Sequence, residues 1–272
     1  PTVEGTGIGD INGDGFEDFM LSSHGAVSGS GQIYVVFGNG KDAFASGITL
    51  SDVESGVGGF SLRGSDTGDR FEGPSHTVGD IDGDGYMDMI FTAHDTDNGG
   101  GSDDGTIYVI FGQSDFSGIT SVITSLDADL SLDDNRAAEI NVRGFRILGT
   151  DNKNLSINTD LIDVNGDGYD DIVYSQTDEK TFITFGGARS KFDGFTNDAI
   201  TASTESDVVL PFDMSWNTPG DFNGDGYNDI IMVDGTADEA YIVYGGPNIA
   251  TTTITSKASI TGTVGMVISS DP

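Results

Sequence analysis

The sequence predicts an all-β protein, a β-propeller of four-stranded antiparallel blades in a single domain spanning residues 1–272. Three observations lead to this prediction: an acidic segment recurs four times, short apolar runs rich in Val, Ile, Phe and Tyr follow each copy, and Gly, Asp and Ser bound those runs. Such runs are typical of strands joined by tight turns. Repeated small sheets that cannot bury both faces alone pack against one another as the blades of a propeller.

The spacing of the repeat supports this architecture. The acidic segments begin at Asp10, Asp80, Asp163 and Asp221, which lie 70, 83 and 58 residues apart. A β-solenoid is disfavoured because its repeats are much shorter, whereas a β-sandwich stays open as an alternative. A strand ending in glycine is predicted after each segment, at residues 31–38, 105–112, 180–187 and 239–246. A further strand is predicted at 59–64 and 144–149, with weaker counterparts at 206–212 and 258–262.

Composition excludes several classes of protein. The chain has 45 acidic and 11 basic residues, a formal net charge of −34, and no cysteine. A chain this acidic repels phosphates, so we expect no nucleic-acid partner. Disulfides are excluded, and no apolar run approaches the roughly 18–20 residues that a membrane-spanning helix needs. Because 36% of the residues are hydrophobic, the chain can still build a core, and bound cations would offset its charge repulsion.

Each repeat contains the nine-residue motif D-x-[DN]-x-D-G-[FY]-x-D, which we call the acidic loop. Side-chain oxygens at positions 1, 3, 5 and 9, with the backbone carbonyl of position 7, can surround one hard cation. Oxygen ligands without His or Cys favour Ca²⁺ over zinc or copper, so we predict about four Ca²⁺ ions. The predicted ligands are Asp10, Asn12, Asp14, Phe16 and Asp18; Asp80, Asp82, Asp84, Tyr86 and Asp88; Asp163, Asn165, Asp167, Tyr169 and Asp171; and Asp221, Asn223, Asp225, Tyr227 and Asp229.

The acidic loop has two other interpretations. An EF-hand needs a glutamate at position 12 and flanking helices, but the residues found there are Leu21, Phe91, Tyr174 and Met232. Simple hairpin turns also favour Asp, Asn and Gly, which would explain one copy without a metal. Four copies with the same ladder of oxygen ligands favour the calcium interpretation.

The repeats resemble the FG-GAP repeats of the integrin α-subunit propeller and of bacterial relatives such as large calcium-dependent surface adhesins. The second repeat matches the pattern most fully, with strands at 59–64 and 107–112, the segment 68–73, and the loop from Asp80. Thr92-Ala-His94 stands where the family has GAP. The resemblance implies a ring of blades with a calcium ion in each loop.

Only four repeats are visible, so the chain is expected to form either a small closed ring or a segment of a larger propeller. Strands within 262–269 would complete the first blade if the ring closes. The segment is the favoured interpretation. We expect the chain to be a monomeric module of a longer secreted or cell-surface protein. Extracellular calcium is abundant enough to fill weak sites, and metal would replace disulfides as the source of rigidity.

The ligand-binding residues are expected on loops that differ between repeats, because such loops can vary without cost to the blades. We predict ligand contacts by Trp216, His94 and Asp97. For Trp216 the alternative is packing in the core, and for His94 it is a structural turn shared with the first repeat. Asp97 lies in a run rich in Gly and Asp, for which a solvated loop is the alternative.

The predicted function is calcium-dependent recognition or adhesion, in which loops of the propeller bind an extracellular protein, peptide or glycan. A calcium-stabilised spacer without a ligand of its own is the alternative. A secreted lyase or hydrolase is a third hypothesis. Because the sequence contains no nucleophile motif and no phosphate-binding glycine loop, we expect that the protein is not an enzyme.

Overall fold

The computed structural model describes residues 4–23, 29–40, 47–64, 71–72, 78–96, 104–116, 119, 143–150, 154–157, 161–176, 180–195, 199–210, 219–234, 238–252, 254 and 256–269. These residues form four sheets built almost wholly of antiparallel strands, and two helices of no more than five residues. The predicted all-β class is confirmed. No helix in these ranges is long and apolar enough to cross a membrane.

The first sheet, blade 1, is a four-stranded antiparallel meander in the order β1-β2-β3-β4. Its strands are β1 (Glu4–Gly9), β2 (Asp18–Ser23), β3 (Gln32–Val36) and β4 (Gly59–Arg63). Helix α1 (Leu50–Glu54) precedes β4 and begins with a capping box between Thr49 and Asp52. Val53 of this helix packs on Tyr34 and Val36, the face of blade 1 that points away from blade 2.

Blade 2 has the same meander with one addition. Two short strands, β5 (Phe71–Glu72) and β6 (Val78–Gly79), both pair with β7 (Asp88–Ala93). The sheet continues with β8 (Thr106–Ile110) and β9 (Gly144–Leu148). The outer edge of β9 is then taken by a parallel strand that comes from the third repeat.

Blade 3 is linked to blade 2 by that parallel strand. It contains β10 (Leu155–Ile157), β11 (Ile172–Gln176), β12 (Lys180–Thr184) and β14 (Val208–Leu210). Between β12 and β14 the chain leaves the sheet, forms β13 (Ala199–Thr201) beside β9, and returns through helix α2 (Ala202–Glu205). The segment between β12 and β14 therefore adds the edge strand β13 to blade 2 before the chain returns to blade 3.

Blade 4 corrects two expectations about the end of the chain. Its described strands are β15 (Ile230–Asp234), β16 (Glu239–Val243) and β17 (Gly265–Ser269). The weak strand predicted at 258–262 is wrong, because Ser256 and Ser259 exchange hydrogen bonds that hold a 3₁₀ turn at Lys257–Ser259. Strand β17 pairs with β16 over five residues, so it completes blade 4 and not blade 1.

The blades pack face to face in chain order. Three buried apolar clusters join blade 1 to blade 2, blade 2 to blade 3, and blade 3 to blade 4. Blades 2, 3 and 4 each contribute a residue from the segment before their last antiparallel strand to the cluster shared with the preceding blade, namely Phe116, Phe192 and Ile249. Within the described residues the four sheets thus form a row with two terminal faces, and no closed ring is seen.

Candidate metal centres

All four acidic loops have the same internal hydrogen bonds. In the loop of blade 2, Asp80 accepts hydrogen bonds from the backbone N–H groups of Asp84 at 3.0 Å and Gly85 at 3.0 Å. The Asp84 N–H also donates to Asp82, and Asp84 itself accepts from the Tyr86 N–H. The equivalent bonds recur in the other loops. These bonds turn the side chains of positions 1, 3 and 5 inward.

The two glycines of each loop make this turn possible. Positions 4 and 6 adopt the left-handed conformation in all four loops, for example Gly83 at φ +73° and Gly85 at φ +91°. Residues with a Cβ atom adopt that conformation at a cost, so the repeated glycines follow from the backbone path.

The aspartate at position 9 connects each loop to the following hairpin. Asp88 is fully buried and accepts hydrogen bonds from the N–H groups of Ile81 and Gly112, both at 2.8 Å. Gly112 ends the apolar run 105–112, which contains β8. The same pair of bonds is made by the other three aspartates, Asp18, Asp171 and Asp229. The sequence predicted this residue as a metal ligand but did not reveal that it also fastens the loop to the blade.

The blade 2 loop brings carboxylates together closely enough for one cation. Ligand oxygens of Asp80, Asp82 and Asp88 lie within 4.8 Å of one another. Asp82 Oδ2 is buried and contacts the Arg189 guanidinium, but it accepts no hydrogen bond of good geometry. An all-oxygen donor set of this kind suits a hard divalent cation such as Ca²⁺, so the residues present fit the predicted ion.

Burial raises the pKa of four of the predicted ligand carboxylates when no cation is bound. Desolvation raises the pKa of Asp88 to about 8 and that of Asp171 to about 7. Burial also raises the pKa of Asp18 and of Asp82, in the latter case against the opposing attraction of Arg189. A cation beside these groups would favour their charged forms.

Arg189 compensates a charge that only the blade 2 loop carries. This loop has Asp82 at position 3, where the other three loops have asparagine. The Arg189 guanidinium, reaching over from blade 3, pairs with Asp82 and with Asp84 at 3.1 Å. Its carbon also lies 4.1 Å from the centre of the buried Phe111 ring. Counting only the side chains at positions 1, 3, 5 and 9, this arginine brings the charge of the blade 2 loop from −4 to the −3 that the other loops carry.

This arrangement predicts how Arg189→Gln behaves. In chelator the variant is expected to lose about 1–2 kcal/mol of stability, because four carboxylates then repel one another and the cation–π contact is lost. In calcium the loss should shrink, since the ion takes over the neutralising role. Adding Asp82→Asn should restore part of the lost stability in chelator. Thermal melting of each variant, with and without chelator, measures these differences.

Lys191→Gln is the matched control. Lys191 lies in the same 3₁₀ turn, but it pairs with Asp207 at 3.1 Å and does not contact the loop. Its replacement should lower stability equally with and without calcium. A calcium-dependent effect of the same size in both variants would contradict the role assigned to Arg189.

Neighbouring loops also contact one another through an aromatic ring. An added Cβ atom at Gly13 would lie 2.3 Å from the Tyr86 ring, and one at Gly83 would lie 2.4 Å from the Tyr169 ring. Gly166 and Tyr227 repeat this contact at 2.1 Å. The glycine at position 4 of one loop therefore receives the ring at position 7 of the next. The sequence assigned position 7 only a backbone role and missed this packing.

Of the three predicted ligand contacts, one lies among the described residues. The half-buried His94 ring contacts the Leu155 carbonyl at 3.1 Å through Nδ1 and the Thr92 hydroxyl at 3.2 Å through Nε2. Since Leu155 belongs to blade 3, the ring joins two blades, in agreement with the structural alternative for this residue. Trp216 and Asp97 lie outside the described residues. Ligand binding by all three stays a prediction.

Four largely antiparallel sheets, with an acidic loop directly before each of β2, β7, β11 and β15, place the described chain among β-repeat proteins. Comparison with protein families shows that residues 3–36 match the FG-GAP repeat, a stretch that contains β1, the first acidic loop, β2 and β3. No curated protein matches the chain. The hydrogen bonds of the matched loop recur in the other three.

Proposed function

We propose that the chain is a calcium-binding module of a secreted or cell-surface protein, in which about four ions hold the acidic loops while other loops bind a partner. The convergence of Asp80, Asp82 and Asp88 in a loop that occurs four times carries this proposal. Positions 1, 3, 5 and 9 would supply the side-chain oxygens and position 7 its backbone carbonyl. Bound calcium supplies positive charge that offsets repulsion among these carboxylates.

The position of the loops gives calcium a mechanical role in this proposal. Three pairs of neighbouring loops are in contact through the ring of position 7, and the aspartate at position 9 fastens each loop to its own blade. A loop held in one conformation therefore fixes the angle between neighbouring sheets. This is how an ion bound at one edge would stabilise the rigid frame that a binding surface requires.

The proposed compartment is extracellular. FG-GAP repeats are typical of extracellular proteins and of recognition or adhesion modules in general. Extracellular calcium sites work with dissociation constants of about 10⁻⁴–10⁻³ M, which exposed loops of this kind can reach. A large bacterial surface adhesin with a propeller-type domain is the parent protein that we propose.

A protein, peptide or glycan is the proposed partner, bound by loops near Trp216, His94 and Asp97. The spacer alternative is favoured by one observation, namely that both nitrogens of the His94 ring already have polar contacts within the protein. The two functions differ in a single property, which is whether the chain has a ligand of its own.

Glycan and peptide arrays probed in calcium and in chelator separate these functions. Binding that requires calcium and falls at least about tenfold in Trp216→Ala, with an unchanged melting temperature, supports recognition. His94→Ala should lower both binding and stability, because it also removes the bridge to Leu155. Val209→Ser, an exposed residue on β14, is the control and should change neither. Arrays without any calcium-dependent ligand would favour the spacer.

A further inference from the structure

Blade 3 brings two side chains of opposite charge to the acidic loop of blade 2. The Asp170 carboxylate accepts a hydrogen bond from the Asp80 N–H at 2.9 Å, and the Asp170 N–H donates to the Asp80 carbonyl at 3.2 Å. The Arg189 guanidinium pairs with Asp82 and Asp84 of the same loop. Both contacts therefore join a residue of blade 3 to predicted ion ligands of blade 2.

This combination of charges is specific to the junction between blades 2 and 3. Asp170 stands at position 8 of its loop, where the loops of blades 2 and 4 have Met87 and Asn228. Arg189 stands three residues after the glycine that bonds to position 9, where blade 2 has the acidic Asp115 and blade 4 an asparagine. Of the three junctions, this one alone combines an acid at the first place with a base at the second.

The two charged groups are held close to the loop and are partly shielded from water. The Asp82 side chain that Arg189 contacts is fully buried, and the guanidinium lies 3.1 Å from Asp84 and over the Phe111 ring. Asp170 is half-buried against the backbone of its neighbour. Charges shielded in this way interact more strongly than charges in water, and salt screens them less. Each group therefore acts on a cation in the loop without having to ligate it.

We propose that Asp170 and Arg189 set the affinity and the charge preference of the blade 2 ion site from across the junction, Asp170 favouring the cation and Arg189 opposing it. This inference rests on the proposed calcium function and concerns two residues outside the predicted ligand set. The interaction free energy of a fixed charge with an ion is proportional to the charge of the ion. Both residues therefore act more strongly on a trivalent ion than on a divalent one.

Replacing the two residues should shift calcium binding in opposite directions. Arg189→Gln removes a positive charge and should tighten Ca²⁺ binding to the blade 2 loop about tenfold, whereas Asp170→Asn removes a negative charge and should weaken it about tenfold. Asparagine keeps an oxygen that accepts the Asp80 N–H, so the bond across the junction is retained. Isothermal titration calorimetry at fixed pH and ionic strength should show one shifted binding step in each variant. A purely structural role would instead weaken binding in both.

Terbium tests the dependence on the charge of the ion. The same substitutions should change the affinity of the blade 2 site for Tb³⁺ about thirtyfold, because the logarithm of the effect grows in proportion to ionic charge. Terbium luminescence in competition with calcium measures the preference directly. Relative to the unmodified chain, Arg189→Gln should exchange one calcium ion at a roughly threefold lower ratio of terbium to calcium, and Asp170→Asn at a roughly threefold higher ratio.

Lys191→Gln and Asp207→Asn are matched controls. They remove one charge each from an ion pair of blade 3, 3.1 Å long, that makes no described contact with the blade 2 loop, so every binding step should stay unchanged. Asp84→Ala removes a predicted ligand and should abolish the step that the two variants shift. Weaker binding in both variants, or a shift in neither, would overturn this inference and leave the calcium proposal intact. An unmodified chain that binds no calcium would contradict both.

Discussion

Removal of calcium is expected to lower the melting temperature by about 10 °C or more. An ion that binds only the native state at 100 times its dissociation constant adds about 2.7 kcal/mol, so even two filled loops contribute roughly 5 kcal/mol. For a chain of this size each kcal/mol corresponds to about 2–4 °C. Differential scanning calorimetry, first in calcium at roughly 100 times the dissociation constant (about 10 mM for a site of 10⁻⁴ M) and then in EDTA, measures the loss.

Two controls separate binding from charge screening. Sodium chloride added to the same ionic strength should recover only a small part of the loss in EDTA, because it does not enter the loops. Asp225→Ala removes one exposed ligand of the last loop, so calorimetric titration should count one ion fewer than in the unmodified chain. Identical melting curves in calcium and in EDTA would contradict the calcium proposal.

The pH dependence of stability provides an independent test of the same proposed calcium sites. Burial raises the folded-state pKa of Asp88 to about 8 and of Asp171 to about 7, above the unfolded value near 4. The folded protein without metal then binds protons more tightly than the unfolded chain does, so stability falls as pH rises from about 4 to 8. In EDTA the melting temperature should increase between pH 8 and pH 6. In calcium this increase should vanish or reverse, since protons compete with the ion.

Much of the fold could be predicted from the sequence because the residues of each repeat determine its strands and turns. The glycine-bounded runs at 31–38, 105–112, 180–187 and 239–246 all contain strands that pair as predicted. The strand predicted within 206–212 is also present as β14, which is apolar at all three residues and pairs with β12. Local pattern was sufficient where a strand pairs with its neighbour in sequence.

The remaining features depend on partners that are distant in the chain. Strand β13 adds to β9 across more than 50 residues, and nothing in its own three residues shows which sheet it joins. Arg189 meets Asp82 only after blades 2 and 3 are packed. The buried role of position 9 could have been suspected, because each such aspartate is accompanied by a glycine that ends the next strand.

The junctions between blades lead to the second large effect, that of Gly166→Ala. An added Cβ atom would lie 2.1 Å from the Tyr227 ring, and Gly166 has φ +78°. The left-handed backbone costs about 1–2 kcal/mol for any residue with a Cβ, and overpacking against the ring adds roughly 1–3 kcal/mol. The total should lower the free energy of unfolding by about 2–5 kcal/mol.

Gly224→Ala is a nearly ideal control for this substitution. Gly224 occupies the same loop position as Gly166 and has φ +79°, but no described residue lies within 4 Å of a Cβ atom added there. Both variants bear the same backbone cost and the same change to a proposed calcium loop, so the difference between them isolates the contact between blades. Urea unfolding of the two variants measures that difference. Tyr227→Ala should cost less in the Gly166→Ala background than alone, because the ring is then already displaced. If the two alanine variants unfold at the same urea concentration, the ring moves aside without cost, and the stacking of loops contributes nothing to the rigidity of the row of blades.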